Sequence, residues 1–167
     1  MGISKALAEK LATGKGFFKT NTIFNIVRYG NVMASRGSVV PLFVEKIKKG
    51  ESLPVTDPKM TRFLLSLEDA IDLVILAIDQ GDQGDLFIKK APAATVEDLA
   101  QALLNLFNAS NKIKIIGTRA GEKIHETLAT QLELSRSEDL KTHYKIKSQA
   151  SLHKEDFFDK GVDSEFP

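Results

Sequence analysis

Cysteine and tryptophan are absent from this chain of 167 residues, and only three His, five Pro and two Tyr are present. Without a thiol, disulfides and thiolate metal sites are excluded. Three scattered histidines give no ligand spacing for a metal either. A charge excess of either sign is also lacking: 23 Lys plus Arg stand against 22 Asp plus Glu, a net +1. No general field therefore draws in nucleic acid or an anionic membrane, and an anionic ligand must be held by local groups. No apolar run approaches the ~20 residues of a membrane span, and no charged-then-apolar leader opens the chain. These absences predict a soluble, cytoplasmic protein with neither nucleic acid nor membrane as partner. One more lack is specific: no G-x-G-x-x-G or G-x-x-G-x-x-G run occurs, so the turn that holds pyrophosphate in dinucleotide-binding folds is not in this sequence.

What is present is ordinary globular material, 43% hydrophobic and 27% charged, enough for one core or for two lobes of a larger one. Ile3, Ala6, Leu7 and Leu11 make an apolar stripe at helical spacing, with Met1 and Lys5 four apart on an adjoining face. Thr13-Gly14-Lys15-Gly16 ends that pattern. Ile23 to Tyr29 reads as a strand covered on both faces. Val40, Phe43, Val44 and Ile47 mark a helix closed by Gly50. Phe63-Leu64-Leu65 is a short strand. Ser66 with Asp69 starts a helix carrying Ala70, Ile71, Val74, Ala77 and Ile78. Leu86-Phe87-Ile88 is a strand, and Thr95 with Asp98 starts a helix carrying Leu99, Leu103, Leu106 and Phe107. Ile113 to Ile116 is a strand, and Gly117 to Gly121 turn into a short helix with Ile124 and Leu128. Past Leu134 the pattern becomes polar and irregular. Alternating strands and helices predict an α/β fold with parallel pairing.

Five segments follow one another in a telling order. They are Met1-Gly2-Ile3-Ser4-Lys5, Arg28-Tyr29-Gly30-Asn31-Val32, Arg36-Gly37-Ser38-Val39-Val40-Pro41, Met60-Thr61-Arg62-Phe63, and Gly117-Thr118-Arg119-Ala120-Gly121-Glu122-Lys123-Ile124-His125-Glu126. Together they resemble the extended short-chain dehydrogenases, and within them the nucleotide-sugar dehydratase/epimerase family of bacterial polysaccharide synthesis. The likeness runs from Met1 to about Ser137 and is strongest to capsular UDP-N-acetylglucosamine 4,6-dehydratases of the C5-inverting type.

The resemblance implies the C-terminal part of a Rossmann-like fold plus its substrate lobe, with the Gly-rich N-terminal half missing. Residues 1–30 and 62–90 are then the remaining Rossmann elements, and 31–61 with 91–167 the UDP-sugar lobe. A strand from Ile23 would lack its inner neighbour and expose an apolar edge. Further implications are NADP, or NAD, as cofactor, a UDP-sugar as substrate, a homo-oligomer at full length, and an N-terminal half encoded separately. The implied reaction is 4,6-dehydration of UDP-N-acetylglucosamine. The alternatives are a UDP-sugar 4-epimerase and a non-catalytic fragment that keeps part of the sugar site.

Site residues follow from the same likeness. Lys5 is expected at the nicotinamide ribose, where an ammonium is a donor of fixed charge. Met1 occupies the position of the family's Tyr, but a thioether has no proton to exchange, so it is not a base. Val32, Met33, Ala34, Ser35 and Arg36 are expected to run past the nicotinamide end of the cofactor. Asn31, Val39 and Val40 are expected to line the sugar or uridine pocket, although core packing explains the two valines almost as well. Arg62 and Arg119 are expected on the diphosphate, with Glu122 accepting from ribose hydroxyls. Without the resemblance, Arg119 and Glu122 read as a surface ion pair, and His125 packs or caps.

Overall fold

The computed structural model describes residues 2–14 and 21–148. In chain order the elements are α1 Gly2–Gly14, β1 Ile26–Arg28, β2 Asn31–Val32, α2 Val39–Lys48, β3 Leu53–Val55, β4 Thr61–Leu65, α3 Leu67–Gln80, β5 Leu86–Lys89, β6 Ala93–Thr95, α4 Val96–Leu106, β7 Ile113–Ile115, α5 Gln131–Ser135, β8 Ser137–Asp139 and β9 His143–Ile146. This is a Rossmann-like α/β fold. Among the described residues no helix is long and apolar enough to cross a membrane.

The chain divides into two compact units, one from Met1–Arg28, Ile71–Lys90 and Ala129–Pro167, the other from Tyr29–Ala70 and Ala91–Leu128. This differs in three places from the division that the resemblance implies, the first being Tyr29 and Gly30, which fall in the second unit. Residues 62–70 fall in the second unit because β4 is the middle strand between β2 and β6. Ala129 onward falls in the first because β9 pairs antiparallel with β5, Phe87 opposite Lys145.

In the first unit the sheet runs β1-β5-β9-β8. β1 and β5 are parallel, with Val27 opposite Phe87 and Arg28 opposite Ile88. Side chains alternate across a strand, so Val27 and Phe87 share one face, where Leu73 and Ala77 of α3 cover them. Arg28 points to the other face and meets Glu9 of α1. Helices thus lie on both faces of an edge strand. β1 is shorter than expected because Ile23 is exposed and pairing begins only at Ile26. The apolar stripe of α1, with Ile3, Leu7 and Leu11, is exposed. On α3 the exposed apolar residues are Leu67, Ile71, Val74, Ile75 and Ile78, while Ala70, Leu73 and Ala77 are buried.

The stretch after Leu134, expected to be irregular, carries the end of α5 and the strands β8 and β9. Thr130 and Glu133 form a reciprocal capping box that starts α5. His143 to Ile146 then has its ladder hydrogen bonds supplied by β5 and β8. The pairing residues of β5 lie some sixty positions away, which local polarity does not reveal.

The second unit packs α2 and α4 around Phe43, Ile47, Leu53, Val55, Met60, Val96, Ala100, Leu103 and Leu104. The expected signals at the ends of these helices are in place: the Thr95 hydroxyl accepts the Asp98 N–H at 3.0 Å, and Gly50, at φ +67, follows the C-cap Lys49 of α2. The buried stripe of α4 is rotated from the expected one. Ala100 and Leu104 are inside, whereas Leu106 and Phe107 are exposed. β3 and β7 pair in parallel, Val55 with Ile115. The helix expected around Ile124 and Leu128 is absent. Residues 117–127 are exposed irregular chain, in which Gly117 and Gly121 both take φ +83, a conformation that interrupts helix.

Candidate functional site

A cavity of about 310 Å³ opens within the second unit. Its wall is built from separate places in the sequence. β2 brings Asn31 and Val32, with Met33 following. The start of α2 brings Ser38, Val39 and Val40. β4 brings Arg62, and the irregular stretch after β7 brings Arg119 and Glu122. Asn31, Val32, Met33, Val39, Val40, Arg62, Arg119 and Glu122, all expected at a ligand, therefore meet in one cavity. Ala34, Ser35 and Arg36 are exposed and do not line it. Lys5 is an exposed residue of α1 in the first unit, and Met1 lies outside the described residues.

β2 is held at this place by a close backbone approach. A Cβ on Gly30 would stand 2.5 Å from both the Cβ and the carbonyl oxygen of Phe63, so only glycine lets the chain pass there. Asn31 then pairs with Leu64 and is exposed on the cavity side. From Met33 the chain turns through Ala34 at φ +57 and Gly37 at φ +75, closing with Ser38 N–H to Ser35 O at 3.0 Å. That turn aims the N-terminus of α2 at the cavity.

Ser38 is the N-cap of α2, yet its side chain makes no cap hydrogen bond, and its Oγ is buried without a partner among the described residues. Val39 and Val40 both pack against the core and line the cavity. The unpaired amides of a helix start carry partial positive charge.

Arg62 is half-buried and its guanidinium is already fixed. Nη1 donates to the carbonyl oxygens of Thr61 at 2.7 Å and Ile124 at 3.3 Å, and Nη2 lies 2.8 Å from Met60 Sδ. Arg119 is more exposed. Its link to Glu122 runs through the backbone, the Arg119 N–H donating to Glu122 Oε2 at 3.0 Å and the Glu122 N–H to Arg119 O at 3.1 Å. The surface ion-pair reading is replaced by a closed turn that leaves the guanidinium of Arg119 outside it. One Glu122 oxygen remains for a hydroxyl donor. Two guanidinium groups and a helix N-terminus around one cavity favour a ligand with more than one negative charge.

Sequence reasoning missed Ser38, Thr56, Thr95 and Ile116, which also line the cavity. For Ser38 a signal existed, since a serine directly before an apolar helical stretch is an N-cap pattern. Ile116 reaches the wall through tertiary pairing alone, its N–H bonded to Val55 O at 2.8 Å.

The family model described as "Polysaccharide biosynthesis protein" matches residues 1–148. A UDP-glucose 4-epimerase of Rickettsia rickettsii (strain Sheila Smith) is 52% identical over 148 residues, which are 87% of this chain and 43% of that protein. Among solved structures, Pen from Bacillus thuringiensis superposes with a TM-score of 0.84 at 38% identity, over 89% of this chain and 48% of the other. The dTDP-glucose 4,6-dehydratase DesIV from Streptomyces venezuelae, solved with NAD and TYD bound, gives a TM-score of 0.69 at 21% identity, over 76% of this chain and 41% of that one. That last likeness is one of fold. The chain spans less than half the length of each of these relatives.

Proposed function

The chain belongs to the polysaccharide biosynthesis protein family, and on that premise we propose that its second unit is the UDP-binding lobe of a nucleotide-sugar-modifying enzyme. The observation that carries this reading is the convergence of Arg62, Arg119, Glu122 and the N-terminus of α2 on one cavity. A diphosphate supplies oxygens for two guanidinium groups and a helix start. A ribose supplies hydroxyls for the free oxygen of Glu122. Val39, Val40 and Leu99 offer apolar surface to a base or sugar ring.

For the complete enzyme the reaction we propose is 4-epimerisation of a UDP-hexose, supported by the 52% identical relative of that name. A second reading, 4,6-dehydration of UDP-N-acetylglucosamine, rests on Met1 standing four residues before Lys5. A thioether there removes one general base and leaves that task to groups outside this chain. Analysis of the sugar nucleotide formed separates the two, because an epimerase returns a hexose and a dehydratase a 4-keto-6-deoxy sugar.

A nicotinamide dinucleotide does not fit these 167 residues by themselves. Their sequence contains no Gly-rich phosphate turn, and Lys5 is a single exposed donor on α1. The phosphates of such a cofactor belong, in this reading, to a further polypeptide segment. Among the described residues β1 is an edge strand flanked by exposed apolar residues of α1 and α3, which is the surface such a segment would cover, whether it is joined to this chain or separately encoded.

The test of the UDP reading is a calorimetric titration of the purified chain with UDP and with uridine. UDP is expected to bind and uridine to bind far more weakly, because the cationic groups engage phosphate. Equal affinity for the two would refute the diphosphate clamp.

A further inference from the structure

The exposed stretch from Gly117 to Lys123 carries Arg119 and Glu122 to the cavity, yet it has little packing of its own. It is pinned at two places. At its start the Ile116 N–H donates to Val55 O at 2.8 Å, and at its end the Thr61 N–H donates to Ile124 O at 2.9 Å. Beside the second pin the Thr61 hydroxyl and His125 Nδ1 are 2.7 Å apart, and Thr61 with His125 forms a parallel bridge. Between the pins stand Gly117 and Gly121, both left-handed. The path of such a span is fixed by its ends and by the Arg119–Glu122 turn.

Thr61 is a rigid post for this contact. It lies in β4, opposite Thr95 of β6, and Thr95 caps α4. The N–H of Val96 donates to Met60 O at 2.9 Å, so that side of β4 is occupied. The Thr61 N–H points to the other edge, where the 124–125 segment sits. Arg62 Nη1 reaches the same Ile124 carbonyl at 3.3 Å.

We propose that His125 is a positioning residue: its ring, hydrogen-bonded to Thr61, latches the Gly117–Ile124 span so that Arg119 and Glu122 are presented to the cavity ligand. This inference rests on the UDP reading for its ligand but not for its geometry. The bond needs one polar atom at the Nδ1 position, which donates or accepts against a hydroxyl that does either. An asparagine amide places an oxygen or nitrogen near that position. A glutamine amide extends toward Nε2 instead. The latch therefore discriminates between two amides of almost equal polarity, which a general requirement for a polar or well-packed residue does not.

The experiment uses the purified chain with two readouts, UDP affinity by calorimetry and hydrogen exchange at the Thr61 and Arg119 amides. For His125→Ala we expect exchange at both amides to speed up and UDP binding to weaken by about two- to tenfold, the effect of one ordinary hydrogen bond, with an unchanged melting temperature. His125→Asn should restore both readouts and His125→Gln should not. Thr61→Val should match His125→Ala, and the double variant should be no worse than either single one. Unchanged exchange in His125→Ala, or recovery by Gln as complete as by Asn, overturns the latch. Should the parent chain fail to bind UDP, the ligand reading falls, while exchange in the same variants still decides the latch.

Discussion

Arg28 and Glu133, 105 residues apart in the chain, meet side by side: Nη1 lies 3.1 Å from one carboxylate oxygen and Nη2 2.9 Å from the other. Glu9 takes the opposite flank, 2.8 Å from Nε. One guanidinium on β1 thus ties α1 to α5. The hydrogen bond from Arg28 holds the Glu133 carboxyl down to about 2, against the opposing effect of burial and with help from the Thr130 N–H. The pKa of the Arg28 guanidinium is raised above its ordinary value, first by the hydrogen bonds it donates to Glu9.

A pH dependence follows. The Glu133 value in the folded protein lies below its ordinary 4.5, so its stabilisation is complete above about 4.5 and is lost as pH falls through about 2. Glu133→Gln should lower the melting temperature by a constant amount near neutrality, and the gap to the parent should close as pH approaches 2. A gap that stays constant across that range would mean that Glu133 does not carry the effect.

Asp85 is buried, and Lys145 Nζ stands 3.0 Å from its Oδ2. Removing only the cation strands a buried carboxylate, so Lys145→Met is expected to cost roughly 3–5 kcal/mol. Asp85→Asn should cost less, because it leaves no buried negative charge. Urea unfolding of the two variants gives the comparison, and the opposite order would contradict the ion-pair account.

At Gly30 the prediction is steric. Gly30→Ala pushes a methyl into Phe63 backbone and Cβ, and should destabilise by about 1–3 kcal/mol while also weakening UDP binding, because β2 carries Asn31 to the cavity. Gly14→Ala, where an added Cβ meets nothing within 4 Å, is the control and should leave stability unchanged or slightly higher. Equal effects at both positions would remove the close-approach argument.

The two arginines should separate by readout. Arg119→Ala is expected to weaken UDP binding by roughly 1.5–3 kcal/mol, the scale of a charge-assisted hydrogen bond, without changing the melting temperature. Arg62→Ala should lower both, since its guanidinium also bonds the carbonyls of Thr61 and Ile124. If Arg119→Ala binds UDP as the parent does, the cavity's cation assignment fails.

Features readable from sequence are those whose partners lie within a turn or two of each other. Ser66 with Asp69 and Thr95 with Asp98 are caps whose donor and acceptor are three residues apart. Phe43 and Ile47 share one face of α2 by helical period. The family resemblance also pointed to eight residues that the structure brings to one cavity, although it did not supply their geometry. Periodicity was less informative for α1 and α3, where much of the apolar stripe proved exposed, because a hydrophobic period marks a face to be covered without saying what covers it.

Other features depended on partners far along the chain. β9 owes its hydrogen bonds to β5, the boundary between the units follows from that pairing, and the 117–127 stretch is irregular because two left-handed glycines and a bond to Thr61 set its path. The sequence alone determined the starts of α3 and α4 and the alternation of strands with helices, since these depend on local spacing and residue chemistry. Tertiary structure decided which residues form the cavity wall, how Arg119 and Glu122 contact each other, and that Arg28 is a structural tie, since hydrogen-bond partners tens of residues apart are chosen only when the chain has folded back on itself.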